Sequence, residues 1–324
     1  MAVNNGMLIC SFYIKKRFSR EREQTYALNN EYQFVDDVGE PYSFEDAFSL
    51  LNSFYLGNTS LTDDEKQQRV FAIKSDSYLL YETETYRAAS FVVMSGSYGL
   101  EGTITNRHTQ KVVHQRKTDE ADIKEFACVV YIPKDAGDTT VEKGILVFQC
   151  YGAYGVKTIT TNYMKQHFSR LGLTFETRSI SIRSFMEKLI EHGRLHKITL
   201  IKNHLSPNDA DNMLIATGRE EKSYIRPNLR PEWLEKILNV FDWADETGIC
   251  EIPDGEDYDD ISIQFQTGNR WRTVRLKRLE KLSIIEDVPD GVVTGSDMSR
   301  LINYMIQTAD EYKEKMVFTI GRGA

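Results

Sequence analysis

Two continuous apolar runs, Phe126-Ala-Cys-Val-Val-Tyr-Ile132 and Gly144-Ile-Leu-Val-Phe-Gln-Cys-Tyr151, constrain the fold of this chain more than any other feature. A strand with one wet face alternates apolar and polar residues, whereas a strand buried on both faces reads as an unbroken apolar run. The runs therefore predict adjacent central strands, joined by the polar stretch Pro133 to Lys143. Other strand candidates are Leu8 to Ile14, Tyr32 to Val38, Arg69 to Ile73, Tyr78 to Tyr81, Ala89 to Met94, Leu173 to Ile180 and Leu195 to Ile201. The polar segment Gly102 to Lys117 alternates like a ribbon with its tip near Asn106.

Layers to cover such a sheet are supplied by stretches of helical period. Phe44, Ala47, Phe48, Leu51, Phe54 and Tyr55 recur at helical spacing, with Ser43 as the expected N-cap and Gly57 as the stop. Thr158 to Leu171 is expected to be helical, and so is Ser181 to His192, where Ile182, Phe185, Met186, Leu189 and Ile190 follow the same period. Pro231 opens a further helix over Glu232 to Ala244, and a last one runs from an N-cap at Ser296 through Met316. Its stripe is Met298, Leu301, Ile302, Met305, Ile306 and Ala309. Strands and helices do not alternate regularly. The expectation is an α+β fold, with antiparallel or mixed sheets, several packed helices and a helical C-terminus. Composition shifts near 135–143 and 223–231 suggest a strand-rich part over 1–135 and an α+β part over 144–324, or one continuous domain.

At 324 residues the chain can bury a sizeable core. Cys10, Cys128, Cys150 and Cys250 are far apart and form no CxxC pair, which points to reduced thiols rather than a disulfide framework. The short apolar run Met7-Leu-Ile-Cys has its basic residues after it, the wrong order for a secretion signal, and no stretch is apolar enough to span a membrane. A cytoplasmic protein, not inserted in a membrane, is the expectation.

The strongest candidate for function is the hairpin that begins at Asp259. It carries six cations, Arg270, Arg272, Arg275, Lys277, Arg278 and Lys281, within the twelve residues 270–281, and Trp271 lies between the first two. The whole chain has a formal net charge of −8 and a pI near 5.4, so this basic ribbon is a local departure from an acidic body. Strand alternation puts Arg270 and Arg272 on one face and Trp271, Thr273 and Arg275 on the other. Guanidinium groups hold phosphates bidentately and an exposed indole can stack on a base. The bland alternative is an edge hairpin whose cations pair with Asp257, Asp259, Asp260 or Glu280.

A second cationic group, Lys15, Lys16, Arg17, Arg20 and Arg22, follows the first strand and could reach a phosphate backbone or serve as a solvated turn. A third, Arg183, Lys188, His192, Arg194, His196 and Lys197, reads best as complement to a helix end. The turn Tyr151 to Lys157 before the Thr158 helix could present N–H groups to an anion, though a tight strand-to-helix turn explains it as well. No nucleophile motif, phosphate loop or metal-ligand spacing appears, and no cofactor is expected. The acidic residues Asp254, Asp259 and Asp260 lack the following acidic-x-Lys strand of a metal-dependent nuclease.

The order of elements carries a resemblance. Asn5-Gly-Met-Leu-Ile-Cys-Ser-Phe-Tyr precedes a helix containing Phe48-Ser-Leu-Leu-Asn-Ser-Phe54. The strand Gly144 to Tyr151 then leads through Gly-Ala-Tyr-Gly to a helix ending Phe168-Ser-Arg-Leu-Gly172. Later Asp260-Ile-Ser-Ile opens the hairpin, and a long Met- and Tyr-containing helix follows. In this layout the chain resembles, over most of its length, the RexA-like phage exclusion proteins of the phage lambda Rex system, and more loosely the DNA-binding subunit of Kiwa-type anti-phage systems. It is longer than the RexA-like proteins, chiefly over Ser97 to Asp119. The resemblance implies a non-enzymatic homodimer that binds duplex DNA without strong sequence preference and acts with a membrane-protein partner. It assigns no residue. A protein-binding sensor or inhibitor in phage defence, and a divergent metal-dependent nuclease, are the alternatives.

Overall fold

A computed structural model describes residues 5–16, 25–29, 31–35, 41–134, 141–152, 154–178, 194–202, 219–225, 250–251, 257–258, 260–267, 270–275, 284–289, 292 and 298–313. In chain order these form β1 (Asn5–Lys16), β2 (Tyr32–Val35), β3 (Pro41–Phe44), α1 (Ala47–Leu56), β4 (Thr62–Asp64), β5 (Arg69–Ile73), β6 (Leu79–Glu82), β7 (Tyr86–Ser97), β8 (Gly102–Thr105), β9 (Val112–Arg116), β10 (Asp122–Pro133), β11 (Gly144–Tyr151), β12 (Tyr154–Gly155), α2 (Lys157–Arg170) and β13 (Leu173–Arg178). Then come β14 (Arg194–Lys202), β15 (Glu220–Ile225), β16 (Cys250–Glu251), β17 (Asp257–Tyr258), β18 (Asp260–Thr267), β19 (Arg270–Arg275), β20 (Ile284–Asp287) and α3 (Ser299–Lys313). The chain is α+β, with antiparallel pairing throughout the described strands and a helix near its C-terminal end.

Residues 1–178 and 284–324 form one compact unit and 179–283 a second. The stretch 135–143, expected as a boundary, instead joins two paired strands of one sheet. The second expected boundary, 223–231, falls inside the second unit, largely outside the described residues.

The first unit is built on a ten-stranded sheet whose main path runs β13-β1-β11-β10-β7-β5-β4. The two apolar runs are neighbours at its centre, with Val129 opposite Val147, and both Val130 and Val147 are fully buried. Alternation then sorts the side chains between two covered faces. One face presents Phe12, Phe71, Phe91, Phe126, Phe148 and Phe175 to α1 and α2, joined there by Phe54, Ile159, Met164 and Phe168. The other presents Met7, Ile9, Val129 and Val147, all fully buried. Against β10 and β11 packs α3, whose Asp310 accepts a hydrogen bond from the Tyr131 hydroxyl. The α3 stripe Leu301, Ile302, Met305, Ile306 and Ala309 is buried in this unit. The ends expected at Ser296 and Met316 lie outside the described residues, and so do the helices expected at Ser181 to His192 and Glu232 to Ala244.

The first helix starts later than its spacing suggested. Ser43 belongs to β3, where its hydroxyl donates to Glu31, and the N-cap is Asp46. Asp46 Oδ1 accepts from the Phe48 and Ser49 N–H groups at 2.9 Å each, and Ser49 Oγ accepts from the Asp46 N–H at 3.1 Å. That reciprocal pair satisfies orphan donors which Ser43, still in extended pairing, cannot reach. Arg87 fixes the same carboxylate by an ion pair. Cys10, Cys128 and Cys150 are buried thiols outside any disulfide, and burial pushes the Cys10 thiol up to about 11.

One polar contact ties the two covering helices and gives a pH prediction. His167 Nε2 of α2 lies 2.9 Å from Ser53 Oγ of α1, and Ser53 Oγ itself donates to the Leu50 carbonyl at 2.7 Å. Burial, and then the Arg170 charge, push the His167 imidazole down from 6.5 to about 4. The unfolded chain therefore binds a proton at this residue that the folded chain refuses. Stability contributed by neutral His167 is fully present above pH 6.5 and is lost as pH falls toward 4. After discounting for partial exposure, the loss is about 1–3 kcal/mol. Urea unfolding across this range is expected to show it in the wild type and not in His167→Gln. Parallel pH profiles for the two proteins would contradict it.

Candidate nucleic-acid interface

The basic hairpin is the edge of a separate four-stranded sheet with order β15-β14-β18-β19 in the second unit. The segment Asp260-Ile-Ser-Ile-Gln-Phe alternates strictly, and the structure uses that alternation to make two unlike faces. Ile261, Ile263 and Phe265 are buried, together with Ile198 and Leu200, to which Ile263 and Ile261 pair directly. The opposite face holds two rows: Lys197, Gln264 and Thr273 in one, and Thr199, Ser262 and Arg275 in the next. Thr199 Oγ1 lies 3.2 Å from Ser223 Oγ of β15, which extends the polar row to the sheet's far edge.

A shallow depression of about 220 Å³ lies on this polar face, lined by both rows together with Ile201, Arg219 and Glu221. Arg219 is ion-paired to Glu221. Lys197 and Arg275, by contrast, have no ion-pair partner among the described residues. They stand two strands apart, about 10 Å across the sheet, with hydroxyl and amide groups between them. Two cations separated by neutral hydrogen-bonding groups suit an extended anion better than a single carboxylate, because each can take a different phosphate of one backbone.

The register sorts the hairpin residues as the alternation suggested. Arg275 pairs with Ser262 on the polar side, and the register continues with Arg272 opposite Phe265, Trp271 opposite Gln266 and Arg270 opposite Thr267. Arg275 thus joins the polar face, and backbone positions 270 and 272 fall on the side of the buried residues. Lys277 and Arg278 lie outside the described residues, and so does Arg17.

The N-terminal cations belong to the first unit, at the end of β1. Lys15 is ion-paired to Glu176 and lies 5.9 Å from the Tyr13 ring centre, which ties it to its own sheet. Lys16 is exposed at the strand's last position. Lys197 is the member of the polar face that the cation spacing assigned elsewhere, to a helix end. The signal that would have found it is the alternation of β14, which sets Lys197 and Thr199 on the side opposite Ile198 and Leu200.

Among the described residues no helix is long and apolar enough to cross a membrane, and no group of three His, Cys, Asp or Glu side chains could hold a metal ion. Compared with known proteins, the chain matches no family model and no curated sequence.

Proposed function

We propose that the chain is a non-enzymatic, cytoplasmic DNA-binding protein that takes duplex DNA without strong sequence preference and serves phage exclusion or a similar defence. The observation that carries this reading is the pair of cations without ion-pair partners, Lys197 and Arg275, on a polar sheet face rich in hydroxyl and amide groups. Phosphate contacts position a protein on a duplex and carry no sequence information, which is what such a face offers. The resemblance to RexA-like proteins supports the same reading, and adds a homodimer working beside a membrane-protein partner. Because α3 buries its apolar stripe in its own unit, a second copy would have to meet another surface.

The test is fluorescence anisotropy of the full chain with several unrelated labelled duplexes, repeated with Mg²⁺ and followed by electrophoresis of the DNA. Comparable binding to all duplexes, with the DNA intact, is expected. Absence of binding at low salt would favour a protein-binding sensor, and Mg²⁺-dependent cutting would favour a nuclease.

A further inference from the structure

A cleft of about 800 Å³ opens in the first unit where the ends of β7 and β10 meet the β8–β9 ribbon and β12. On its lining, the paired strands β7 and β10 approach closely at Gly96. A Cβ there would sit 2.1 Å from the Asp122 carbonyl oxygen, so only glycine allows the two backbones to converge.

The charges on its wall are unusual. Arg69 donates from both terminal nitrogens to one acceptor, the Gly155 carbonyl, at 3.3 Å each. Arg116 donates from Nε to the Leu100 carbonyl at 3.1 Å. Neither guanidinium has a carboxylate partner among the described residues. A guanidinium has five N–H donors, so each keeps at least three for a ligand. Burial pulls the Arg69 guanidinium below its ordinary value, because its charge is held partly out of water. Of the two carboxylates on the lining, Asp122 is bound to Lys124 at 2.5 Å, and Glu101 is exposed.

The rest of the wall sets Ser95, Ser97 and Thr103 beside the apolar and aromatic side chains of Leu100, Ile104, Phe126 and Tyr154. Tyr154 is 64% exposed and Leu100 71% exposed, and Lys124 Nζ stands 5.2 Å from the Tyr154 ring centre. Pockets of about 300–1,000 Å³ hold small molecules, whereas inorganic phosphate would fill a minor part of such a space. An anion with a planar, partly apolar body matches both halves of the wall.

We propose that this cleft binds a ligand of the mononucleotide class, with its phosphate on Arg69 and Arg116 and its ring on the Tyr154 and Leu100 side. The site shares no residue with the polar sheet face and does not depend on the DNA reading. The experiment is isothermal titration of the full chain with AMP, GMP, CMP and UMP in turn, with inorganic phosphate and the parent nucleosides as controls. At least one monophosphate is expected to bind, its nucleoside and inorganic phosphate each about tenfold or more weaker. Arg116→Gln, on the exposed ribbon, should cost about tenfold in affinity without moving Tm of the unliganded protein, and Arg69→Gln at least as much. Lys197→Glu should leave the affinity unchanged. No heat with any monophosphate, inorganic phosphate binding as tightly as the nucleotide, or wild-type affinity in both arginine variants would overturn the proposal.

Discussion

Phe148→Ala is expected to lower the unfolding free energy of the first unit by about 3–5 kcal/mol, the usual cost of emptying a packed aromatic site. Phe148 is 1% exposed in the middle of β11, between Leu8 of β1 and Cys128 of β10. It belongs to the cluster beneath α1 and α2, where Phe12 stacks on Phe175 at 5.5 Å and Phe168 meets Phe175 at 5.0 Å. The strands around it are hydrogen-bonded on both sides and have little room to collapse into the void. The matched control is Val113→Ala on the β8–β9 ribbon, where the side chain is 68% exposed and the change should stay within about 0.5 kcal/mol. Urea titration of both variants gives the comparison. A cost below about 1 kcal/mol for Phe148→Ala would contradict a central, two-sided sheet.

That sheet was legible in the residues because burial on both faces leaves a direct mark, the unbroken runs of β10 and β11. The hairpin was legible too, since Ile261, Ile263 and Phe265 alternate with Ser262 and Gln264. The N-cap of α1 was misplaced because Ser43 and Asp46 are both good capping residues, and only the pairing of β3 with β2 decides between them. The division into units left no local trace. β20 returns to pair with Gly6 to Ile9 of β1 after the whole second unit has intervened, and no property of Ile284 or Ile285 announces that partner. The polar face was half visible for the same reason. Arg275 stood out as part of a charge run, whereas Lys197 came onto the same face only once β14 paired with β18 and β18 with β19.

Reversing both charges, Lys197→Glu with Arg275→Glu, is expected to weaken duplex binding by about 10- to 100-fold at moderate salt, for unrelated sequences alike. With each cation on a phosphate, as proposed, each substitution would remove one contact and add a repulsive one. Both residues sit on the polar side of the sheet, away from Ile198, Leu200, Ile261 and Ile263, so the fold should survive the change. Arg270→Glu with Arg272→Glu makes the same formal charge change at positions of the other side, and is expected to cost less than about a third as much in log affinity. If the two pairs of substitutions weakened binding equally, attraction would follow overall charge rather than the polar face. Circular dichroism of each variant separates loss of contact from loss of fold.

The salt dependence of duplex binding tests the central claim most directly. A protein that neutralises phosphates releases their condensed counterions, so log affinity falls linearly with log salt, with a slope of about −0.9 per phosphate contacted. With Lys197 and Arg275 each on a phosphate, the wild type should show a slope of about −2 or steeper, and the double charge reversal should be shallower by about two. The same slope in wild type and a well-folded double variant would contradict DNA binding through this face.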